Sequence, residues 1–133
     1  MDSPRILIAE DEPAVGKLLA RCCHQVGFET TLVEDGVEAL ALAQSNSYHL
    51  IITDYQMPRM DGIQLCRQLR RCEQHTRTPI IVCSAAVAQL DTEALQREMG
   101  AIDFIAKPVD LLNFPELFRD AAKPPNTRAQ TGF

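Results

Sequence analysis

The feature that most constrains this chain is an alternation, repeated five times, of a short apolar run and a stretch with helical periodicity. Ile6-Leu7-Ile8-Ala9 is the first run. It is continuous and not alternating, as a strand covered on both faces requires. Val15, Leu18, Leu19, Cys22 and Val26 then recur at i, i+3, i+4, i+7 and i+11, predicting a helix that buries this stripe and ends at Gly27. Residues 28–33 mix apolar and polar side chains and predict an edge strand; residues 36–44 predict a helix with Val37, Leu40 and Ala41 inward. His49-Leu50-Ile51-Ile52-Thr53 predicts a strand ending in Asp54. A loop carrying Pro58 leads to a helix near Gly62, capped by Asp61, with Leu65, Cys66 and Leu69 buried. Pro79 precedes the run Ile80-Ile81-Val82-Cys83, which ends in Ser84. A helix over 91–99 has the weakest stripe, Leu95 and Met99; Gly100-Ala101 then leads into a strand at 102–106 and to Lys107-Pro108. Phe114, Leu117, Phe118 and Ala121 fall at helical spacing, with Pro115 acceptable in the first turn.

Alternating elements with short connections imply an α/β fold, a parallel sheet wrapped by helices on both faces. Right-handed crossovers bring every strand end to one edge, where such sheets bind ligands. The length of 133 residues is one domain's worth. We expect a domain over 1–122 and a tail or linker over 123–133, where Pro124-Pro125 and the polar residues after them cannot continue a helix. The net charge of −5 argues against direct nucleic-acid binding by this chain. The N-terminus lacks the apolar core of a secretory signal, and no apolar stretch reaches the ~20 residues of a membrane span, so no membrane association and a cytoplasmic location are expected. Of the five cysteines, Cys22, Cys66 and Cys83 fall on faces expected to be buried, as small hydrophobes; redox sensing by the adjacent Cys22 and Cys23 is the alternative.

The strand ends carry Glu10 and Asp11, Asp54, Ser84, and Lys107. Three carboxylates at ~5 Å and an effective dielectric of ~20 repel by on the order of 3 kcal/mol per pair, so a proton stays on or a cation sits between them. Clustered oxygens suit a hard cation such as magnesium, and no His/Cys cluster offers a zinc site. Magnesium on Asp11 and Asp54 would offset the charge of an incoming phosphoryl group, with Asp54 as nucleophile. Lys107 can hold one phosphoryl oxygen and Ser84 can donate a hydrogen bond to another.

Ile6 to Pro13, then Asp54-Tyr55-Gln56-Met57-Pro58 with Asp61-Gly62, Cys83-Ser84-Ala85, Gly100-Ala101 and Lys107-Pro108, closely resemble the receiver domains of two-component response regulators, in order and with family spacing over about residues 4–122. The resemblance implies a flavodoxin-like three-layer sandwich of five βα units with strand order 2-1-3-4-5. It implies that Asp54 is the phosphoacceptor, Asp11 the direct metal ligand, Glu10 its acidic partner acting through water, and Gln56 the donor of a backbone carbonyl to Mg2+. Ser84 and Phe104 match the switch pair, Lys107 the family's lysine, and the Lys107–Pro108 bond is expected to be cis. Gln56 and Ala86 match the two positions that tune phosphoryl lifetime; Ala86 lacks a polar group to hold water, which predicts slow hydrolysis.

The implied partners are a sensor histidine kinase or a histidine phosphotransfer protein, and an output domain or downstream protein. The output is controlled through the face made by the helix at 91–99, the strand at 102–106 and the last helix, a face also open to homodimer formation. The chain is then a phosphoacceptor regulator and not an enzyme, with at most self-phosphotransfer from a donor and slow self-dephosphorylation. Three departures from the commonest pattern are Glu10 for Asp, Ser84 for Thr, and Phe104 for Tyr. A phosphohydrolase is disfavoured because Pro13, two residues beyond Asp11, cannot transfer a proton. A flavodoxin-like cofactor binder is disfavoured because Glu10-Asp11-Glu12 would repel a phosphate. A degenerate receiver that only binds proteins is disfavoured by the complete set of acidic residues and Lys107. Both a stand-alone regulator and a receiver from a longer protein fit the sequence.

Overall fold

In the computed structural model, which describes residues 4–108, five strands pair in parallel in the order β2-β1-β3-β4-β5. The elements are β1 (Arg5–Ala9), α1 (Pro13–Gln25), β2 (Glu29–Val33), α2 (Gly36–Ser45), β3 (Leu50–Asp54), α3 (Gly62–Leu69), β4 (Ile80–Ser84), α4 (Thr92–Met99) and β5 (Ile102–Ala106). Two 3-10 turns, Glu73–His75 and Val87–Gln89, went unforeseen in the periodicity because each is shorter than one period. The helix expected at 114–121 and the tail from 123 lie outside the described residues.

The sheet has a helical layer on each face because successive strand residues point to opposite sides. Ile6, Ile8, Ile52 and Ile81 pack with Leu19 and Cys23 of α1. Leu7, Ile51, Ile80 and Val82 pack with Ala39 and Ala43 of α2, Leu65 and Leu69 of α3, and Met99 of α4. β3 and β4 are buried along their whole length, whereas β2, at the edge, buries only Val33.

In α1 the predicted Val15, Leu19 and Val26 do face the core, but this helix is rotated part-way, and α2 further, from the faces that their apolar residues predict. In α1 the buried residues are Gly16, Leu19 and Cys23, while Leu18 is 47% exposed and Cys22 only half-buried. In α2 they are Gly36, Ala39 and Ala43, while Val37 and Ala41 are exposed and Leu40 is half-buried. Glycine is the reason in both. A Cβ on Gly16 would lie 2.7 Å from Leu32 Cδ1, and one on Gly36 would lie 2.7 Å from the Met60 carbonyl oxygen. Each helix comes in close over its glycine, and that sets which neighbours turn inward, Leu19 and Cys23 in α1 and the small Ala39 and Ala43 in α2. Burial raises the thiols of Cys23, Cys66 and Cys83 to about 12, so they are packing residues and not nucleophiles.

At the opposite end of the sheet from the strand ends, Arg70 closes the fold. Its guanidinium donates to the carbonyls of Met99 (2.7 Å), His75 (2.9 Å), Thr78 (2.7 Å) and Ala101 (3.0 Å). His75 is fully buried, stacks on Tyr48 and bonds to Thr78, Ala43 and Asn46. That is a packing role, as expected for histidines without ligand spacing.

Candidate functional site: an acidic cleft at the strand ends

Each site residue sits where a strand stops. Glu10 and Asp11 follow β1, and Pro13 then starts α1, where its missing N–H costs nothing. Asp54 is the last residue of β3 and is 7% exposed. Ser84 is the last of β4, buried, its Oγ accepting from Ala86 N at 2.9 Å. Lys107 follows β5, and its backbone N–H donates to the Ser84 carbonyl at 2.9 Å, extending the ladder by one bond. The Lys107–Pro108 bond is cis.

These positions bring the charged groups together. Lys107 Nζ lies 2.8 Å from Asp54 Oδ1 and 3.1 Å from Glu10 Oε1. The other Glu10 oxygen accepts from the Glu12 backbone N–H at 3.1 Å. One oxygen each from Glu10, Asp11 and Asp54 lies within 4.8 Å of the others; Glu10 and Asp54 are buried and Asp11 is exposed. A cleft of about 260 Å³ opens above them, lined by Asp11, Glu12, Asp54, Gln56, Ser84, Ala85, Ala86 and Lys107. Glu10 and Phe104 do not line it. Glu10 is buried beside Lys107, and Phe104 is half-buried on β5, packed against the core on the α2–α3–α4 side.

The loop after Asp54 is shaped by Gly62. A Cβ there would collide with the Asp54 carbonyl oxygen and the Tyr55 backbone, so only glycine lets α3 start this close. Gly62 N donates to the Tyr55 carbonyl at 2.7 Å. Asp61 caps α3 as expected, accepting from Gln64 N at 2.8 Å while the Gln64 side chain accepts from Asp61 N at 2.9 Å.

Electrostatically the site is short of positive charge. Burial raises the Asp54 pKa against the pull of Lys107, and the neighbouring Asp11 adds to the rise. Burial likewise raises Glu10, opposed by the Glu12 N–H and by Lys107. Burial works against the Lys107 ammonium, but its hydrogen bonds to Asp54 and Glu10 prevail and hold its pKa above the ordinary value. Three carboxylates against one ammonium leave a formal charge of −2 when all are ionised. An all-oxygen donor set with that imbalance fits a small divalent cation.

The family profile of the response regulator receiver domain matches residues 6–119. The chain belongs to the response regulator receiver family. Among curated receiver proteins it is 36% identical over 107 residues to the transcriptional regulatory protein BaeR of Escherichia coli O6:H1, covering 80% of this chain and 43% of that protein. It is 37% identical over 114 residues to the transcriptional regulatory protein TcrA of Mycobacterium tuberculosis, covering 86% and 43%. The chain thus spans less than half the length of these curated relatives. A similar solved structure is the receiver domain of the sensor histidine kinase PA1611 of Pseudomonas aeruginosa PAO1, crystallised with a magnesium ion coordinated in its active site cleft. It has a TM-score of 0.79 and 29% identity, over 91% of this chain and 98% of that one. The chemotaxis response regulator CheY4 of Vibrio cholerae superposes with a TM-score of 0.81 over 90% and 99% of the two chains, at an identity of 23% that speaks to the fold alone.

Of the expected residues, Asp11, Asp54, Gln56, Ser84, Ala86 and Lys107 line the cleft, Glu10 lies buried beside Lys107, Phe104 stands apart, and two residues not expected at the site join the lining. Glu12 and Ala85 line it, Glu12 also holding Glu10 through its backbone. A third omission is Asp35, which caps α2 by accepting from Glu38 N at 2.8 Å. An acidic residue three positions before Glu38 is a helix-start signal legible in the sequence.

Proposed function

We propose that this receiver domain is a phosphorylation-dependent switch whose acceptor is Asp54. The reading is carried by one observation: the Asp54 carboxylate stands at an open cleft, paired with Lys107 and grouped with Asp11 and Glu10. The phosphoryl donor is the phosphohistidine of a sensor histidine kinase or histidine phosphotransfer protein. An Asp54 oxygen attacks phosphorus, the nitrogen–phosphorus bond breaks, and the imidazole nitrogen keeps the electron pair. Lys107 holds one phosphoryl oxygen, and the Ser84 hydroxyl turns from Ala86 N to donate to another. Asp11, Asp54 and the Gln56 carbonyl would hold Mg2+, with Glu10 acting through water. Bound there, the ion supplies charge compensation for the phosphoryl oxygens.

The new group adds roughly −1.5 to −2 charge beside Lys107 and Ser84. Phe104 then fills the space behind Ser84, and α4 and β5 change as one face, with the stretch 114–121 expected to join them. That face signals to an output domain or downstream protein, or to a second copy. We take residues 1–122 as the unit and 123–133 as its tail or linker, with a cytoplasmic setting. The described residues include no helix long and apolar enough to cross a membrane.

Incubation with a small phosphodonor and Mg2+, followed by intact-mass analysis in the cold at neutral pH, should show one added phosphoryl group, and EDTA should suppress it. Equal labelling in EDTA would refute the role given to the acidic cluster. The lifetime follows from Gln56 and Ala86, which both line the cleft. An attacking water needs a polar side chain to hold it in line, and Ala86 offers none. Ala86→Glu should shorten the phosphorylated lifetime several-fold in a single-turnover decay; unchanged or slower decay would assign control of the rate to Gln56.

A further inference from the structure

The loop 55–61 between β3 and α3 presents Gln56 to the cleft, and it is tied to the β2–α2 turn, which does not line that cleft. Its inner side is fixed by Tyr55, Met57 and Met60 packing on the core, and by the Tyr55 N to Cys83 O bond of 2.9 Å. Its outer side rests on the start of α2. Arg59 Nη2 lies 2.5 Å from Asp35 Oδ2, and the next residue, Met60, brings its carbonyl oxygen against Gly36. Asp35 serves both elements at once, Oδ1 accepting from Glu38 N to cap α2 while Oδ2 holds Arg59.

Arg59 has φ of 68°, in the left-handed region that costs a residue with a Cβ on the order of 1 kcal/mol. Such a conformation persists where its surroundings over-determine it. Here the guanidinium is anchored to a carboxylate that is itself fixed at a helix start. The pair is open to solvent on its Arg59 side, where an ion pair contributes little to global stability, so the effect of this one falls on where the loop sits.

We propose that Asp35, acting through Arg59, is a positioning residue for the metal-binding loop: the Asp35–Arg59 pair holds the Gln56 carbonyl in register with Asp11 and Asp54. This deepens the receiver reading above and rests on it. It also makes the β2–α2 turn a place from which magnesium affinity is set.

Calorimetric titration of the full chain with magnesium chloride tests it. Asp35→Ser keeps the helix cap and removes the ion pair. Arg59→Asn removes the pair and relieves the backbone, since Asn tolerates the left-handed region. Each should weaken Mg2+ binding roughly tenfold, the low end of what losing support behind metal ligands costs. The double variant should be no weaker than either single one. The midpoint of thermal unfolding in EDTA should stay near wild type, which separates positioning from general destabilisation. A pure field effect would move the two affinities in opposite directions, because the lost charges have opposite sign. That outcome, wild-type affinity in both variants, or additive losses in the double variant would overturn the proposal. Failure of the wild-type chain to bind Mg2+, or full binding by Asp11→Asn, would instead bring down the site reading and this inference with it.

Discussion

Asp54→Asn is expected to abolish phosphoryl labelling and, in the same protein, to raise the stability of the metal-free fold. The first effect follows from loss of the attacking oxygen. The second follows from the sign of the Asp54 shift. Burial, then Asp11, raise its pKa in the folded protein over the opposition of Lys107. The fold therefore holds that proton more tightly than the unfolded chain does, and stability falls as pH rises through the raised value. Asparagine carries no charge to desolvate, and Lys107 keeps its bond of 3.1 Å to Glu10. At neutral pH in EDTA the gain should be on the order of 1 kcal/mol, seen as a rise of a few degrees in the unfolding midpoint. Lowering the pH through the raised value should shrink the difference, and it should vanish below the ordinary carboxylate value of the unfolded chain. Saturating Mg2+ should stabilise wild type more than the variant, because ligation of the native state alone shifts the equilibrium. Full labelling of the variant would remove Asp54 from its role. A lower midpoint in EDTA would mean that the ion pair with Lys107 outweighs desolvation.

Gly62→Ala should be the most damaging single-methyl change on the cleft side of the fold. Helix propensity alone favours alanine by about 1 kcal/mol. Against it, the added carbon would meet backbone, the Asp54 carbonyl oxygen and the Tyr55 Cα at 3.0 Å, and backbone cannot rotate away as a side chain can. A net loss of about 3 kcal/mol is expected, lowering the unfolding midpoint by roughly 10 °C in a domain of this size. Labelling should fall as well, since relief requires Asp54 or the start of α3 to shift. Gly16→Ala is the control: its new carbon meets only the far end of Leu32, a flexible side chain, and its cost should be small. Comparable midpoints for the two variants would refute the argument.

The strands read directly from the sequence because β3 and β4 are buried on both faces, and a run such as Ile80-Ile81-Val82 has no other comfortable place. The cleft read as well as it did because a parallel sheet puts all its strand ends on one edge. Glu10, Asp11, Asp54, Ser84 and Lys107 needed no contact information to be grouped. Helix faces fared worse. Counting apolar side chains placed Leu18, Cys22 and Val37 inward, whereas the helices close in on Gly16 and Gly36, which have no side chain to count. Arg70 and the Asp35–Arg59 pair were illegible for another reason. Their partners are backbone carbonyls or a residue 24 positions away, and no local pattern announces either.

The carbonyls gathered by Arg70 give α4 a hinge pin. They join the last residue of α4 to the start of β5 and to the chain entering β4, and the buried side chain of α4, Met99, lies at that same end. Any displacement of α4 that spares those bonds is a swing about Met99 and not a slide. The travel grows along the eight residues of the helix and is greatest at Thr92, about 10 Å from the pin. That far end adjoins the Val87–Gln89 turn, which leaves the cleft directly after Ser84 and Ala86. A push of a fraction of an ångström from the cleft would thus act on the long arm of a crank whose axle is Arg70, backed at the same end by the Arg67–Glu98 pair and the bond from Gln96 to the Ile102 carbonyl.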